Sequence, residues 1–435
     1  MTRKFVIALI LLATVPAIPA FAAERPMWCW VGDLENYLAP CDAILPADRK
    51  AASDEQVRSL VQTYSKRGDA FFTTEAFESA HIDYSEALRL DPLNAEIYNK
   101  RGNASTELKD YDDALENYGM SISLDPKNIH PFHNRGALFA ILGNHESAIK
   151  DFDRAIEIAP DMGDLHFRRA MSLKAIPGFE RSAVESYLSA IAVDPDFPWS
   201  YLHLGITYNS LGEYDRAAHA LNRCIELAPE TPHPHFYLGV SLHAAGDFKS
   251  AITSYDRALQ IDSAYGEALL NRGQAKRAVD DFKGALADFD RLVEIYPDYG
   301  LAYKNRAWLL VDLEQPDRAI SNFSMLIRLH PDTPDGYLGR GETLLNLDRP
   351  EQAIADLDYG IALNPNDAHG YFLRGLAYKA IEDQMVEGNA QARNLAIKNL
   401  KWALGVNPSL EKPKQVLQAL GEVPTGIDPR LEPPA

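Results

Sequence analysis

Residues 266–299 read GEALLNRGQAKRAVDDFKGALADFDRLVEIYPDY, and residues 300–333 read GLAYKNRAWLLVDLEQPDRAISNFSMLIRLHPDT. Both stretches have 34 residues, with a small residue at position 8, alanine at position 20 and proline at position 32. In the first stretch these are Gly273, Ala285 and Pro297. Apolar and aromatic residues tend to recur three and four apart, which is the spacing of one helix face. Proline lacks an N–H and disfavours helix in the residue before it, so each stretch predicts helices that end at position 32.

The same pattern extends far beyond these two stretches. The alanine of position 20 recurs from Ala80 to Ala396, at intervals of 34 residues except for one of 35 and a last one of 43. The pattern resembles the tetratricopeptide repeat, a helical hairpin with a period of about 34 residues. The resemblance implies an all-α fold, a right-handed α-solenoid superhelix of about ten hairpins. The ten repeats begin at Val61, Ala95, Ile129, Gly163, Pro198, Pro232, Gly266, Gly300, Pro334 and Ala368.

Small residues at positions 8 and 20 remove side-chain bulk where the two helices of a hairpin approach each other. A single hairpin cannot bury its apolar face, so stacked repeats form one continuous core. We expect the repeat array to span residues 53–410. An amphipathic stretch at 411–422 is expected to form a C-terminal capping helix, and the proline-rich residues 423–435 a disordered tail. Cys224 occupies a position where other repeats have alanine, and it is predicted to be a small buried residue.

Residues 1–22 have the layout of a secretory signal peptide. A short basic region, Arg3 and Lys4, precedes an apolar run from residue 5 to residue 15. Ala20 and Ala22 then occupy the two positions that a signal peptidase recognises. The layout predicts cleavage after Ala22 and a periplasmic or secreted mature protein of the bacterial type. The alternative is an uncleaved membrane anchor.

Export would place the N-terminal arm, residues 23–52, in an oxidising compartment. Such a compartment favours a disulfide between Cys29 and Cys41. The alternative is a pair of free thiols, because the spacing of two cysteines in sequence does not fix their geometry.

The chain is strongly acidic. It has 62 acidic and 43 basic residues, which gives a net charge of -19. Such a surface repels phosphate backbones, so nucleic acid is not an expected partner. No P-loop, nucleophile elbow or His-Glu-x-x-His zinc motif occurs in the sequence. We therefore expect a protein without enzymatic activity, cofactor or metal site, and without membrane contact beyond the signal peptide.

Arginine at position 7 of a repeat accompanies a hydrogen-bond acceptor at position 23. Repeats five and six differ, because they carry Leu204 and Leu238 at position 7 and alanine or serine at position 23. A charge-assisted hydrogen bond between the two helices of a repeat explains the co-occurrence. The alternative is a row of free arginines that binds an anionic ligand. The arginines are Arg67, Arg101, Arg135, Arg169, Arg272, Arg306, Arg340 and Arg374.

Positions 2, 5, 9 and 12 of the first helix form a separate stripe. The resemblance implies that this stripe lines the concave groove of the solenoid. It is almost wholly polar in the first two repeats, whereas most of its residues are apolar in repeats four to six. An apolar patch on a soluble protein marks an interaction site, so the stripe predicts a binding groove. The candidate binding residues are Phe167, Met171, Trp199, Leu202, Ile206, His233, Phe236, Val240, His243 and Trp308.

A second interpretation of the stripe is that positions 5 and 9 are partly buried against the next repeat. A known ligand set of the family is also not matched. Some members bind a chain-terminal carboxylate with lysine at position 5 and asparagine at position 9 of one repeat. Here Lys304 at position 5 is accompanied by Trp308 at position 9.

The resemblance and the stripe together predict a non-catalytic scaffold that binds a protein segment in its groove, in the bacterial cell envelope. A partner with basic flanks would complement the acidic surface. One alternative is an accessory subunit of an envelope polysaccharide or peptidoglycan enzyme system. Another is a groove that binds a lipid or a glycan.

Overall fold

A computed structural model describes residues 54–385 and 389–426. The predicted signal peptide, the N-terminal arm with Cys29 and Cys41, and most of the predicted tail lie outside the described residues. Within those two ranges the secondary structure is entirely helical. The helices are α1 Asp54–Thr73, α2 Phe77–Leu90, α3 Ala95–Glu107, α4 Tyr111–Leu124, α5 Ile129–Ile141, α6 His145–Ile158, α7 Gly163–Lys174, α8 Glu180–Val193, α9 Pro198–Ser210, α10 Tyr214–Leu227, α11 Pro232–Ala244, α12 Phe248–Ile261, α13 Gly266–Ala278, α14 Phe282–Ile295, α15 Gly300–Asp312, α16 Pro316–Leu329, α17 Pro334–Asn346, α18 Pro350–Leu363, α19 Ala368–Gln384, α20 Ala390–Val406 and α21 Glu411–Ala419.

The described chain forms two compact parts, which divide after Leu138. In each part the closest packing is between the two helices of one repeat, such as α1 with α2 or α11 with α12. The second helix of a repeat then packs on the first helix of the next. From the second repeat onward, each first helix begins at the residue where the sequence places the start of the repeat. The predicted fold of stacked helical hairpins is confirmed.

Close approach of the two helices depends on the small residue at position 8. A Cβ atom on Gly273 would lie 2.5 Å from Cε1 of Phe289, whose ring is fully buried at position 24 of the same repeat. The ring therefore fills the space that the glycine leaves. Phe323 occupies the same place in the eighth repeat and is also fully buried, opposite Ala307. Cys224 is buried as predicted, and burial raises the pKa of its thiol to about 11.

The tenth repeat and the predicted capping helix are both helical. Helices α19 and α20 have 17 residues each, so the insertion in the tenth repeat lengthens the helices that flank it. Helix α21 buries Leu417 in a core cluster that includes Leu400 and Leu404 of α20. It covers the apolar face of the last hairpin, although it ends at Ala419, before the predicted boundary at residue 422.

The arginines of position 7 are paired inside the protein. Nε and Nη2 of Arg340 donate to the two carboxylate oxygens of Asp356 at position 23. The Nε–Oδ2 distance is 2.7 Å and the Nη2–Oδ1 distance is 2.6 Å. Arg67 and Asp83 form the same two-pronged contact, at 2.6 and 2.7 Å. The predicted hydrogen bond between the two helices of a repeat is confirmed in these pairs. Matching contacts join Arg101 to Asn117, Arg169 to Ser186, Arg272 to Asp288, Arg306 to Asn322 and Arg374 to Asn399.

The same arginines also reach the preceding repeat. Nη1 of Arg306 lies 2.8 Å from Oδ1 of Asp290, which is at position 25 of the repeat before it. Each arginine of this kind therefore joins three helices from two neighbouring repeats. The arrangement also gives separate partners to two aspartates that lie two residues apart on one helix: Asp288, at position 23, pairs with Arg272, and Asp290, at position 25, pairs with Arg306. The other contacts to position 25 are Arg101 to Ser85, Arg169 to Asp153, Arg272 to Asp256, Arg340 to Ser324 and Arg374 to Asp358.

Candidate protein-binding groove

The first helices of successive repeats pack side by side from α7 to α19. Positions 9 and 12 of these helices therefore form two parallel rows. We use the name central groove for these rows in repeats four to six. At position 9 the row contains Met171, Ile206 and Val240, which are half-buried and pack at the edge of the core. At position 12 it contains Lys174, Asn209 and His243, which are also half-buried.

In repeats four to six, the side chains at position 5 belong to the core instead. Phe167, Leu202 and Phe236 are all buried, which agrees with the second interpretation of the stripe, in which position 5 packs against the next repeat. Their place among the candidate binding residues stays a prediction. The ring of Phe236 packs between Tyr255 on α12 and Tyr265 just before α13, with centroid distances of 5.9 and 4.9 Å. Large apolar side chains at position 5 are covered by the second helix and by the start of the next repeat.

Two predicted residues at position 2 lie on the surface. Trp199 is 38% exposed, and His233 is also exposed beside the ring of Tyr265. Trp308, at position 9 of the eighth repeat, is half-buried, with its ring edge-on to Phe323 at 5.2 Å. These side chains can meet a ligand, but Trp308 lies outside the central groove.

Asn209 and His243 differ in whether their polar atoms have hydrogen-bond partners. The amide of Asn209 accepts a hydrogen bond from Oγ of Ser241 at 2.7 Å and donates to the carbonyl of Tyr237 at 3.3 Å. It therefore joins repeats five and six. His243 faces the ring of Phe248, its Nδ1 is buried without a hydrogen-bond partner, and burial lowers its pKa.

One half-buried histidine on α9 does not follow from the predicted stripe. His203 is at position 6 of the fifth repeat, with its ring stacked on Tyr187 at 6.1 Å and edge-on to Phe167 at 5.5 Å. Its Nδ1 has no hydrogen-bond partner. Burial, aided by the positive charge of Lys174, lowers the pKa of His203 to about 4. The ring is therefore neutral at physiological pH.

The first two repeats have a contrasting groove face. The hydroxyl of Tyr84 donates to Asp69 at 2.8 Å, and Lys100 donates to the same carboxylate at 2.9 Å. The hydroxyl of Tyr118 donates to Asn103 at 2.9 Å, and Asn134 donates to that residue too, also at 2.9 Å. These polar side chains therefore satisfy one another.

Repeats five and six lack such a network at the equivalent places. The hydroxyl of Tyr255 is equivalent to that of Tyr84, but position 9 of its repeat is Val240, and the hydroxyl has no partner. Nδ1 of His203 and Nδ1 of His243 are unpaired as well. Buried polar atoms without partners are rare in folded proteins, and each one calls for a reason.

Three sequence models, all described as tetratricopeptide repeat, match the chain. They cover residues 202–266 and 304–368, residues 95–128 and 132–162, and residues 267–299. Together these matches span more than half of the sequence. The chain belongs to the tetratricopeptide repeat family. Proteins of this family are in general non-catalytic scaffolds for protein–protein interaction.

Several solved structures are similar to parts of the chain. MamA is 21% identical, over 39% of this chain and 92% of that chain, with a TM-score of 0.38. YrrB, a TPR protein with an unusual peptide-binding site, is 20% identical, over 46% of this chain and 99% of that chain, with a TM-score of 0.38. Yeast Tom70 is 16% identical, over 84% of this chain and 89% of that chain, with a TM-score of 0.41. No curated protein matches the chain.

Two further features of the tetratricopeptide array concern ligands and membranes. Across residues 54–385 and 389–426, no three side chains of His, Cys, Asp or Glu come together in a way that could hold a metal ion. In the same ranges, no helix combines the length and the apolar character that crossing a membrane requires.

The lowered pKa of His203 predicts a loss of stability in acid. In the unfolded chain the ring of His203 takes up a proton near pH 6.5, whereas in the folded chain it does so only near pH 4. The stabilising contribution is therefore complete above pH 6.5 and is lost as the pH falls towards 4, by up to about 3 kcal/mol. His203→Asn copies the asparagine at position 6 of repeats three, seven and eight and does not titrate. Thermal unfolding at pH 7 and pH 4.5 should show a smaller difference for this variant than for the wild type, and an equal difference would contradict the assignment.

Proposed function

We propose that the protein is a non-catalytic scaffold of the bacterial cell envelope that holds a segment of a partner protein in its central groove. One observation carries the proposal. Polar side chains on the groove face of the first two repeats satisfy one another, whereas repeats four to six combine half-buried apolar side chains with unpaired polar atoms. A bound segment would cover the half-buried apolar side chains of the central groove.

The row of Met171, Ile206 and Val240 is better suited to bind a peptide than to bind the rigid, flat surface of a folded protein. Its side chains are half-buried, so each one offers a shallow apolar contact. A segment that lies along the row can place successive apolar side chains on successive repeats. Trp199, more exposed than any of the three, adds an aromatic contact at the edge of the groove.

The charge of the chain suggests what flanks the bound segment. A net charge of -19 attracts basic residues on a partner and accelerates the encounter at low salt. Partners with basic flanks should therefore associate faster at low ionic strength, without a matching change in the rate of dissociation.

The envelope location rests on the sequence of residues 1–22. A basic start, an apolar run and Ala20 and Ala22 form the pattern of a cleaved signal. N-terminal sequencing of the mature protein from a bacterial envelope fraction should begin at Ala23. An uncleaved N-terminus would instead favour the membrane anchor.

Binding can be tested with a displayed library of short random peptides, with the purified chain as the target. Ile206→Glu places a carboxylate in the row of position 9, where the ninth repeat already carries Glu342, so the fold should tolerate it. We expect selected peptides to bind this variant at least about tenfold more weakly than the wild type, because the charge loses its water on binding.

The matched control is Leu188→Glu. Leu188 is 46% exposed on α8, a second helix, and lies outside the row. Its replacement should leave the affinities unchanged. The proposal fails if the library gives no specific binders, or if both variants weaken binding equally.

A further inference from the structure

Lys174 is the last residue of α7 and lies at position 12 of the fourth repeat. It is half-buried, yet it forms no ion pair and no hydrogen bond within the described part of the chain. Every other half-buried lysine of residues 54–385 and 389–426 has a carboxylate partner. These paired lysines are Lys100, Lys276, Lys304, Lys379, Lys401 and Lys414.

The surroundings of Lys174 are apolar or neutral. Phe167 and Met171 precede it by two turns and one turn on the same helix, and His203 is close enough for the lysine to lower the pKa of its ring. Burial in turn lowers the pKa of Lys174 itself. A charge that has lost part of its water without gaining a partner is unfavourable in the free protein.

The rest of the groove face makes this exception more significant. Lys304 pairs with Asp335 at 2.8 Å, and Arg277 pairs with Asp312, so cations at other groove positions are neutralised from within. In a chain with a net charge of -19, carboxylates that could pair with a lysine are abundant. The fold nevertheless leaves Lys174 without one, in the repeats where buried polar atoms also lack partners.

We propose that Lys174 binds a carboxylate of the partner segment, whose neighbouring apolar side chain packs on Met171 and Ile206. The inference rests on the proposed function and specifies the chemistry of the segment. The carboxylate is that of an aspartate or glutamate side chain or of the chain terminus. Basic flanks remain compatible, because they would meet the acidic surface outside the central groove.

One negative charge fits the site better than a phosphate. Phosphate groups are usually held by several donors or by the fork of an arginine. Here a single ammonium group faces neutral and apolar neighbours, which suits a carboxylate. The site also differs from the clamp of lysine and asparagine at positions 5 and 9, since Lys174 is at position 12 and Asn209 is already satisfied.

The experiment uses the peptides selected on the wild-type chain. Each peptide is synthesised with a free C-terminus and as the C-terminal amide, and with its acidic side chains changed to amides. We expect one of these changes to weaken binding by about 10- to 100-fold, which is the range for a charge-assisted hydrogen bond. The first change implicates the chain terminus and the second an acidic side chain.

The variants are Lys174→Met, Lys174→Arg and the control Lys150→Met. Lys150 is an exposed lysine on α6. Lys174→Met should remove the preference for the carboxylate while retaining apolar binding, Lys174→Arg should keep most of the preference, and Lys150→Met should behave like the wild type. Lys174→Met should also raise the melting temperature, because it removes an unpaired half-buried charge.

Two results would overturn this inference. One is a set of peptides that bind equally well without any carboxylate, which would leave the groove proposal intact. The other is a lower melting temperature for Lys174→Met, which would mean that the protein itself uses the charge, for example at the carboxyl end of α7. A library without binders would instead refute the proposed function.

Discussion

Replacing Arg340 by leucine is expected to destabilise helices α17 and α18 by about 3–5 kcal/mol. Asp356 is only 7% exposed, and both of its oxygens accept hydrogen bonds from Arg340. Without the arginine, the carboxylate stays buried and uncompensated. The variant also loses the link from Arg340 to Ser324 in the preceding repeat.

The double variant Arg340→Leu with Asp356→Ala copies the fifth repeat, which has Leu204 and Ala220 at these positions. It should recover most of the lost stability, because replacing both members of a buried pair by apolar residues is often neutral. Native-state hydrogen exchange of α17 and α18 measures the local free energy of opening. Arg349→Leu, at an exposed arginine without an ion pair among the described residues, is the control and should change it by less than about 0.5 kcal/mol.

A double variant as unstable as the sum of the two single variants would contradict this account. It would mean that the arginine and the aspartate contribute independently. It would also restore the alternative in which the arginines of position 7 are held for an anionic ligand.

The sequence predicts the arginine pairing within a repeat because the two residues change together. It does not predict the second contact, from Arg306 to Asp290 of the preceding repeat. Residues two apart on a helix do not share a face, so the sequence of a single helix gives no reason to relate Asp288 to Asp290. Only the stacking of repeats brings each of them to a different arginine.

The binding site is less predictable than the fold. Periodicity places position 5 on the same stripe as positions 2, 9 and 12, but the burial of that position depends on what fills it. Ser65 and Asn99 stay half-buried there, whereas Phe236 is covered by Tyr255 and Tyr265. The unpaired state of Lys174 has no sequence signal either, since pairing depends on side chains that are distant in sequence.

Replacing Phe236 by alanine is expected to destabilise its region by about 3–5 kcal/mol, the usual cost of removing a buried phenylalanine ring. Phe236 is 7% exposed and belongs to a core cluster with Ala251, Tyr255 and Leu269. The cavity would open at the junction of the sixth and seventh repeats. Hydrogen exchange of α11 to α13, measured together with thermal unfolding, should show the loss.

Trp199→Ala provides the contrast on the same stripe. Trp199 is 38% exposed and makes no aromatic contact within the described part of the chain, so its removal should change stability by less than about 0.5 kcal/mol. It should instead weaken the binding of the peptides selected on the wild-type chain. Equal stability losses for the two variants would mean that position 2 is as much a part of the core as position 5. A stable Phe236→Ala variant that no longer binds the peptides would mean that Phe236 is a groove residue after all. Its ring would then contact the ligand and would not be needed to pack α11 on α12 and α13.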